Sequence, residues 1–578
     1  MNRIAGSPPI LHCAFKPGWP EQGDFAVKSK DKLLDSVRRG SSELENHVID
    51  ELVAGHIDRR AFLRHGSILG MSLPLMGTVL GALGATLVAP ARAGAAGATI
   101  RVATTVPAAA IDPVTVADGG GLLMLQQTGE FLCNSGADLR LRPVLAESWS
   151  ASDDALAWTF KLRKGVKFHN GKTMNADDVV ATIDRLADPK NSSNALSAFS
   201  GVLSKGGTKK VDDETVVFHL DAPNGNFPYY VSSDNYNAII LPADYAGDFE
   251  KTFNGTGPFK LDKYTPKVGA SFTRNDDYWG PKALPSRTEF TFYADMQPQV
   301  LALQGRQVDV INQLPVLQGI ALLNDPNINI LSIKSSAHTQ VHMRNDVAPL
   351  TDKRVRRAIA LTLDRVKLAK GLFRGRTDLG NDSPFAPVFP STDKTVPQRH
   401  RDIATAKQLM AAAGFPDGFK IKLTTEKYLE IPEYAVILQN AVKAIGIDME
   451  LNVESQDAYY GKAVYGQSDW LDSIMGITDY GHRGVPNVVL SAPFKSDGTW
   501  NAAHFKNKDY DALVAKYIAA VDLQTQRKIA GDIQRLLLDE SPVIISYFYD
   551  FLTATSKKVA GAQATAMAQL FLARASLT

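Results

Sequence analysis

Residues 145–186 change hydrophobic period partway along, and no all-helical or all-strand fold accommodates both halves. Trp158, Phe160 and Leu162 alternate with Thr159, Lys161 and Arg163, the two-residue period of a half-buried strand. Gly165 interrupts, and Val166 and Phe168 then alternate with Lys167 and His169. Asn170-Gly171 suits a tight turn with positive φ. Asn175 can cap the helix that follows, with Asp177 and Asp178 in its first turn, where the helix dipole favours acids. Val179, Val180, Ile183 and Leu186 fall on one helix face. Strand and helix must therefore share a core here.

This run, 145–170 followed by Ala176-Asp177-Asp178-Val179-Val180, resembles the fingerprint of the peptide/dipeptide/oligopeptide-binding family of bacterial extracellular solute-binding proteins (family 5), which serve ABC importers. The resemblance implies an α/β, two-lobed periplasmic binding protein of the Venus-flytrap type (class II, cluster C), with an extra subdomain at about 136–255 in the first lobe. It implies capture of a peptide or peptide-like solute by hinge closure and delivery to a permease and its ATPases. It implies no enzyme activity and no cofactor, and a monomer is expected. A length of 578 residues, 44% hydrophobic and 21% charged, suits two or three soluble domains. Lobe 1 is expected over 94–340, lobe 2 over 341–542, and a return to lobe 1 over 543–578.

Residues 1–93 are read as a leader. Arg59-Arg60-Ala61-Phe62-Leu63-Arg64 has the twin-arginine form. A Gly- and Ala-softened apolar stretch follows and ends in Pro90-Ala91-Arg92-Ala93, a small-x-small cleavage site after Ala93. Glycines, Pro74 and the adjacent cleavage site favour a removable signal over a membrane span. This predicts export to the periplasm of a Gram-negative cell. The preceding 58 residues are either a long leader, with a short helix near 43–54, or follow a start placed too far upstream.

Of the 63 basic and 61 acidic residues, 11 and 9 lie in 1–93, which leaves 52 of each and a formal charge of zero. Nothing in that balance points to nucleic acid. The two cysteines, Cys13 and Cys133, cannot build a disulfide scaffold or a four-cysteine metal site. His338 and His342 lie in a strand-like pattern, where a four-residue spacing does not make a helical zinc pair. No GxSxG elbow appears.

The loop 111–121 carries a glycine run without the Lys-Ser/Thr of a phosphate cradle. In the resembling family it lies at the mouth of the ligand cleft, which makes Val116, Asp118 and Gly119 candidate ligand contacts. Residues 254–259 (Asn-Gly-Thr-Gly-Pro-Phe) and 275–280 (Asn-Asp-Asp-Tyr-Trp-Gly) read as structural turns. Residues 350–364 form a capped helix whose cluster Lys353, Arg354, Arg356 and Arg357 reads as a solvated face.

Strands at 419–423, 447–453 and 473–477 alternate with helices and predict a mainly parallel sheet. Ligands in such sheets sit beyond the strands' carboxyl ends. Just there lie Asp479, Tyr480, His482 and Arg483. By resemblance, Asp479 takes the position whose carboxylate grips a peptide's α-amino group. Arg483 can pair with Asp479 or with a ligand carboxylate. Ile477 and Val485-Pro486 depart from the commoner family pattern, which keeps an opine, a sugar or chelated nickel open as cargo. Residues 543–552 read as a strand returning to the first lobe, with hinge residues near 340–345 and 540–546.

Overall fold

The computed structural model describes residues 41–53, 97–108 and 110–578, with a few isolated positions between 37 and 79. The chain forms two compact units, 1–93 and 94–578. In the first, a helix spans Glu43–Val53, and Ser42 and Glu45 hydrogen-bond reciprocally at its start, the main-chain N–H of Ser42 donating to Glu45 Oε2 at 2.7 Å. Arg59, Arg60 and Ala93 lie outside the described residues.

Three larger sheets and three two-stranded ribbons build the second unit. Seven strands run in the order Ile328–Ile333, Phe551–Ser556, Val310–Ile311, Thr99–Thr105, Arg287–Tyr293, Gly269–Arg274 and Phe259–Thr265. Six run in the order Thr377–Leu379, Val543–Tyr549, His338–Met343, Met475–Tyr480, Lys420–Glu426 and Asp448–Glu454. A four-stranded sheet, Ala146–Ala151, Ala157–Leu162, Thr215–His219 and Thr208–Asp212, carries the fingerprint. Its inner residues Trp158, Phe160, Leu162, Val216 and Phe218 are buried, as the two-residue period demands.

The fingerprint differs from its expected hairpin in one respect. Residues 166–169 do not continue the sheet, although Val166 and Phe168 are buried. After Leu162 the Arg163 N–H turns back to the Leu145 carbonyl, and Gly165 takes φ +72°, so the chain leaves the ladder. The helix Ala176–Ala187 is capped as expected. Asn175 accepts from the Asp177 N–H at 2.9 Å, and Asp178 accepts from the Asn175 N–H at 2.9 Å.

The six-stranded sheet is mixed, not mainly parallel. Lys420–Glu426 runs parallel to Asp448–Glu454 and Met475–Tyr480, while His338–Met343, Val543–Tyr549 and Thr377–Leu379 pair antiparallel. The two added central strands come from the two crossings between the large sheets. Strand Val543–Tyr549 therefore belongs to the second sheet, and only Phe551–Ser556 joins the first. Likewise His338–Met343 is already in the second sheet. The chain changes sheet at 334–337 and at Asp550, not near 340–345 and 540–546. Residues 543–552 are apolar almost throughout, so no change of period marks the crossing. The break is Asp550 itself, which accepts from Ser332 Oγ at 2.5 Å and from Lys334 Nζ at 3.0 Å. Lys334 also meets Asp378 at 3.0 Å, so one ammonium ties both crossings to the second sheet.

The basic helix is Lys353–Leu361, capped by Asp352. Lys353 and Arg357 pair with Asp539, and Arg354 with Asp352. Arg356 does not face solvent. It is 3% exposed and donates to the carbonyls of Leu350 and Glu540. Its amphipathic position, between Val355 and Ile359, puts it over the end of the long helix Leu523–Glu540, where the last carbonyls need donors.

Candidate functional site

Asp479 is the penultimate residue of an inner strand of the second sheet, and its parallel neighbour ends in Glu426. Both carboxylates thus sit at strand carboxyl ends, where side chains are free of the ladder. The Asp479 N–H donates to Glu426 Oε1 at 3.3 Å. Tyr549, the last residue before the Asp550 crossing, donates its hydroxyl to Asp479 Oδ1 at 2.8 Å. Gln456 Nε2 and the Tyr460 hydroxyl complete Glu426 at 2.7 and 2.9 Å. Glu430, at the start of helix Ile431–Val442, accepts from the Tyr547 hydroxyl at 3.3 Å.

Among the described residues no lysine or arginine pairs with these three carboxylates. Asp479 is half-buried, yet enclosure by protein pushes its pKa up to about 7; the charge of Glu426 adds to this, and the Tyr549 hydroxyl opposes it. Burial also pushes Glu430 up to about 7, with the charge of Asp479 contributing. The site is an acceptor surface lined by Tyr428, Tyr460, Tyr547 and Tyr549, and it is short of positive charge.

The other candidates divide. Tyr480 follows Asp479 in the strand and so points to the opposite face. It stacks on His338 with ring centroids 5.5 Å apart and lies near Trp500. His482 Nδ1 accepts from the Ser336 N–H at 3.0 Å, and burial lowers its pKa to about 3, so it is neutral. Arg483 does not pair with Asp479. Its Nη1 donates to the His482 carbonyl at 2.9 Å, and its main chain exchanges hydrogen bonds with Ser336 Oγ. Ser336 belongs to the first crossing, so the loop after Asp479 is fastened there. Gly484 in that loop packs so closely on Asp234 that a Cβ would fall 1.7 Å from its Oδ2.

Val116, Asp118 and Gly119 have local duties. The Val116 N–H donates to the Asp112 carbonyl, and its own carbonyl accepts from Asn237 Nδ2 at 3.0 Å. Asp118 caps the helix Gly119–Thr128, accepting from the Gly121 N–H at 2.9 Å. Gly119 begins that helix with Gln313 Oε1 3.7 Å from where its Cβ would be. None of the three is hydrogen-bonded to Asp479.

His338 and His342 point their rings at main-chain carbonyls, those of Ser336 and Ser473 at 2.8 and 3.2 Å, and burial lowers both to about 4. The turns at 254–259 and 275–280 converge on a residue the sequence did not single out, Glu130. It accepts from Thr256 Oγ1 at 2.8 Å, the Tyr278 hydroxyl at 2.6 Å and Trp279 Nε1 at 2.8 Å. Gly255 and Gly257 lie against the Thr128 carbonyl, where a Cβ would meet it at 2.0 and 2.8 Å.

Two large sheets exchanging strands at two adjacent crossings, with a cation-poor carboxylate surface beside one of them, define a two-lobed solute-binding protein. The profile of bacterial extracellular solute-binding proteins, family 5 Middle, matches residues 140–499, and the chain belongs to this family. Heme-binding protein A of Haemophilus influenzae is 26% identical over 439 residues, which cover 70% of this chain and 78% of that protein. Dipeptide-binding protein DppE of Bacillus subtilis is 26% identical over 472 residues, or 75% and 83% of the two chains. The solved structure of HbpA2 from Haemophilus parasuis covers 83% of this chain and 100% of its own, with TM-score 0.74 at 24% identity.

Proposed function

We propose that this protein is the periplasmic substrate-binding component of an ABC importer and captures a peptide or peptide-like solute by its protonated amino group. The observation that carries this reading is Asp479: an enclosed carboxylate at a strand's carboxyl end, held by Tyr549 and given no cation among the described residues. Burying an unpaired charge is costly, so a site built this way favours a ligand that brings an ammonium. The relatives are named for heme and for dipeptides, and Asp479 favours the cargo that carries an amine.

The pivot is assigned to 334–337 and Asp550. Tyr549 links the two functions, because its hydroxyl touches Asp479 while its main chain adjoins the crossing. An ammonium on Asp479 then biases the population toward whichever lobe arrangement best encloses it. Loaded protein is handed to the membrane permease and its ATPases as a monomer. Arg59-Arg60 and the cleavage motif ending at Ala93 support export by the twin-arginine route.

The test is calorimetry of Ala-Ala against N-acetyl-Ala-Ala on the purified chain. Acetylation removes the ammonium and keeps the rest, so affinity is expected to fall at least about 30-fold, or ~2 kcal/mol. Equal affinities would remove the amino group from the recognition.

A further inference from the structure

We propose that segment 484–487 is a clasp by which the second lobe holds the first shut, and that Asn226 and Asn487 are positioning residues that set the closed population, their amides spent on each other and not on cargo. The proposal rests on the reading of capture by two closing lobes given above. The two lobes are cored separately. Trp158, Phe160 and Phe218 of the four-stranded sheet share one core with Ile100 and Val102 of the seven-stranded sheet, so the four-stranded sheet and its loops move with the first lobe. Helices Lys508–Ala519 and Leu523–Glu540 share another core with Val543 and Ile545 of the second lobe.

A chain of buried amides runs between these bodies. Gln526 Nε2 donates to the Ala520 carbonyl at 2.8 Å, which fixes it as nitrogen, and it also donates to Asn226 Oδ1 at 3.0 Å. Asn226 Nδ2 then donates to Asn487 Oδ1 at 3.0 Å, and Asn487 Nδ2 to Asn224 Oδ1 at 3.4 Å. The far end is fixed as well, because the Asn224 oxygen accepts from the Asn226 N–H at 2.9 Å. Asn224 and Asn226 belong to the first lobe, Asn487 and Gln526 to the second, so each of the bonds linking these four side chains crosses between lobes. All four residues are buried.

Two glycines let the backbones meet. The N–H of first-lobe Gly225 donates to the Ile518 carbonyl at 2.8 Å, and a Cβ there would fall 2.0 Å from the Ala520 oxygen. Second-lobe Gly484 lies as closely on Asp234 of the first lobe. Each lobe also lends the other an apolar side chain, Val485 packing on the first core and Leu139 joining the second. All these contacts are made by the chain's own residues, so closing through them needs no cargo. A buried amide exchanged for water costs little net, which lets such a seam part and re-form where a wholly apolar one would stay shut. Asn487 lies on the loop that follows Asp479 and is fastened to Ser336 of the first crossing, so the ligand's carboxylate and the clasp move as one piece.

The test is hydrogen exchange of the whole, cargo-free chain, read residue by residue by mass spectrometry. The reporter is the Gly225 N–H, whose acceptor lies in the other lobe. Gly484→Ala adds a methyl group against Asp234, and Asn487→Ala removes two links of the amide chain. Each is expected to speed exchange at Gly225 at least about tenfold and to leave strand Ala157–Leu162, inside the first lobe, unchanged. A fold that was merely destabilised would speed both. In calorimetry each variant is expected to weaken Ala-Ala and N-acetyl-Ala-Ala by the same factor, at least about fivefold, because it acts on closing and not on the amino group. The proposal is overturned if exchange at Gly225 is unchanged in both variants, if 157–162 rises in step with it, or if the two ligands are weakened by different factors. A wild-type chain that binds neither peptide would instead refute the Asp479 reading, and exchange at Gly225 would still decide the clasp.

Discussion

Replacing Asp479 by Asn should weaken binding and strengthen the empty protein at the same pH. Enclosure holds the carboxyl at about 7 against an ordinary 3.8. The folded protein therefore grips this proton about three decades more tightly than the unfolded chain does, which caps the cost of ionising the empty site at on the order of 4 kcal/mol. Asp479 is only half-buried, and water at its exposed edge screens the charge, so a working figure is about 2 kcal/mol.

The sign follows from the direction of the shift. Below about pH 4 both states are protonated, and the group contributes nothing to the pH dependence. Between about 4 and 7 the unfolded chain ionises while the folded one does not, so stability falls as pH rises. Above about 7 the loss is complete. Asn carries no proton to lose and still accepts from the Tyr549 hydroxyl, now 2.8 Å from Oδ1. Melting temperatures of variant and wild type should coincide near pH 4, and the variant should melt a few degrees higher at pH 8, at roughly 2–4 °C per kcal/mol for lobes of this size. An amine-bearing dipeptide moves the opposite way, because it needs the ionised carboxylate. Wild-type affinity should rise with pH up to about 7 and level off, while the variant binds at least about 30-fold more weakly at pH 8. Scanning fluorimetry from pH 4 to 8 and calorimetry with Ala-Ala check both halves. An Asn variant that melts lower than wild type at pH 8, or that binds Ala-Ala equally well, refutes the argument.

Three further substitutions probe the frame around the site. Glu130→Ala strands Thr256, Tyr278 and Trp279 in the interior and should cost about 3–5 kcal/mol in urea unfolding, with Glu130→Gln milder because it still accepts. Asp382 is fully buried between Arg365 and Arg399, at 2.7 and 2.6 Å, so Asp382→Ala leaves two unpaired guanidiniums and should cost a similar ~3–5 kcal/mol by the same measurement. Lys334→Met cuts the tie from the first crossing to Asp550 and Asp378; at 44% exposure it should hardly move the melting temperature, yet it should change the dipeptide Kd, and an unchanged Kd would detach this lysine from the pivot.

Local period made the elements legible, and distance along the chain hid the partners. The alternation at 157–162, the cap at Asn175 and the strand leading to Asp479 were readable because each signal lies within a few residues. Glu426 was within reach of the same topological rule that picked Asp479, since it ends the parallel neighbour strand, but as a strand's last residue it left no mark in the period. Tyr549 was not readable, because only the single charged residue Asp550 breaks the apolar run at the crossing and the bond to Asp479 spans 70 positions. Glu130 is the extreme case: its three donors lie 126, 148 and 149 positions away, and each comes from a turn that reads as self-sufficient. The mispairing of Arg483 has the same root. Four residues from Asp479 is near in sequence, but Ser336 of the first crossing captures the loop between them and directs the guanidinium back to His482. On the proposed reading, a carboxylate so deprived of its nearest cation favours a ligand that carries one.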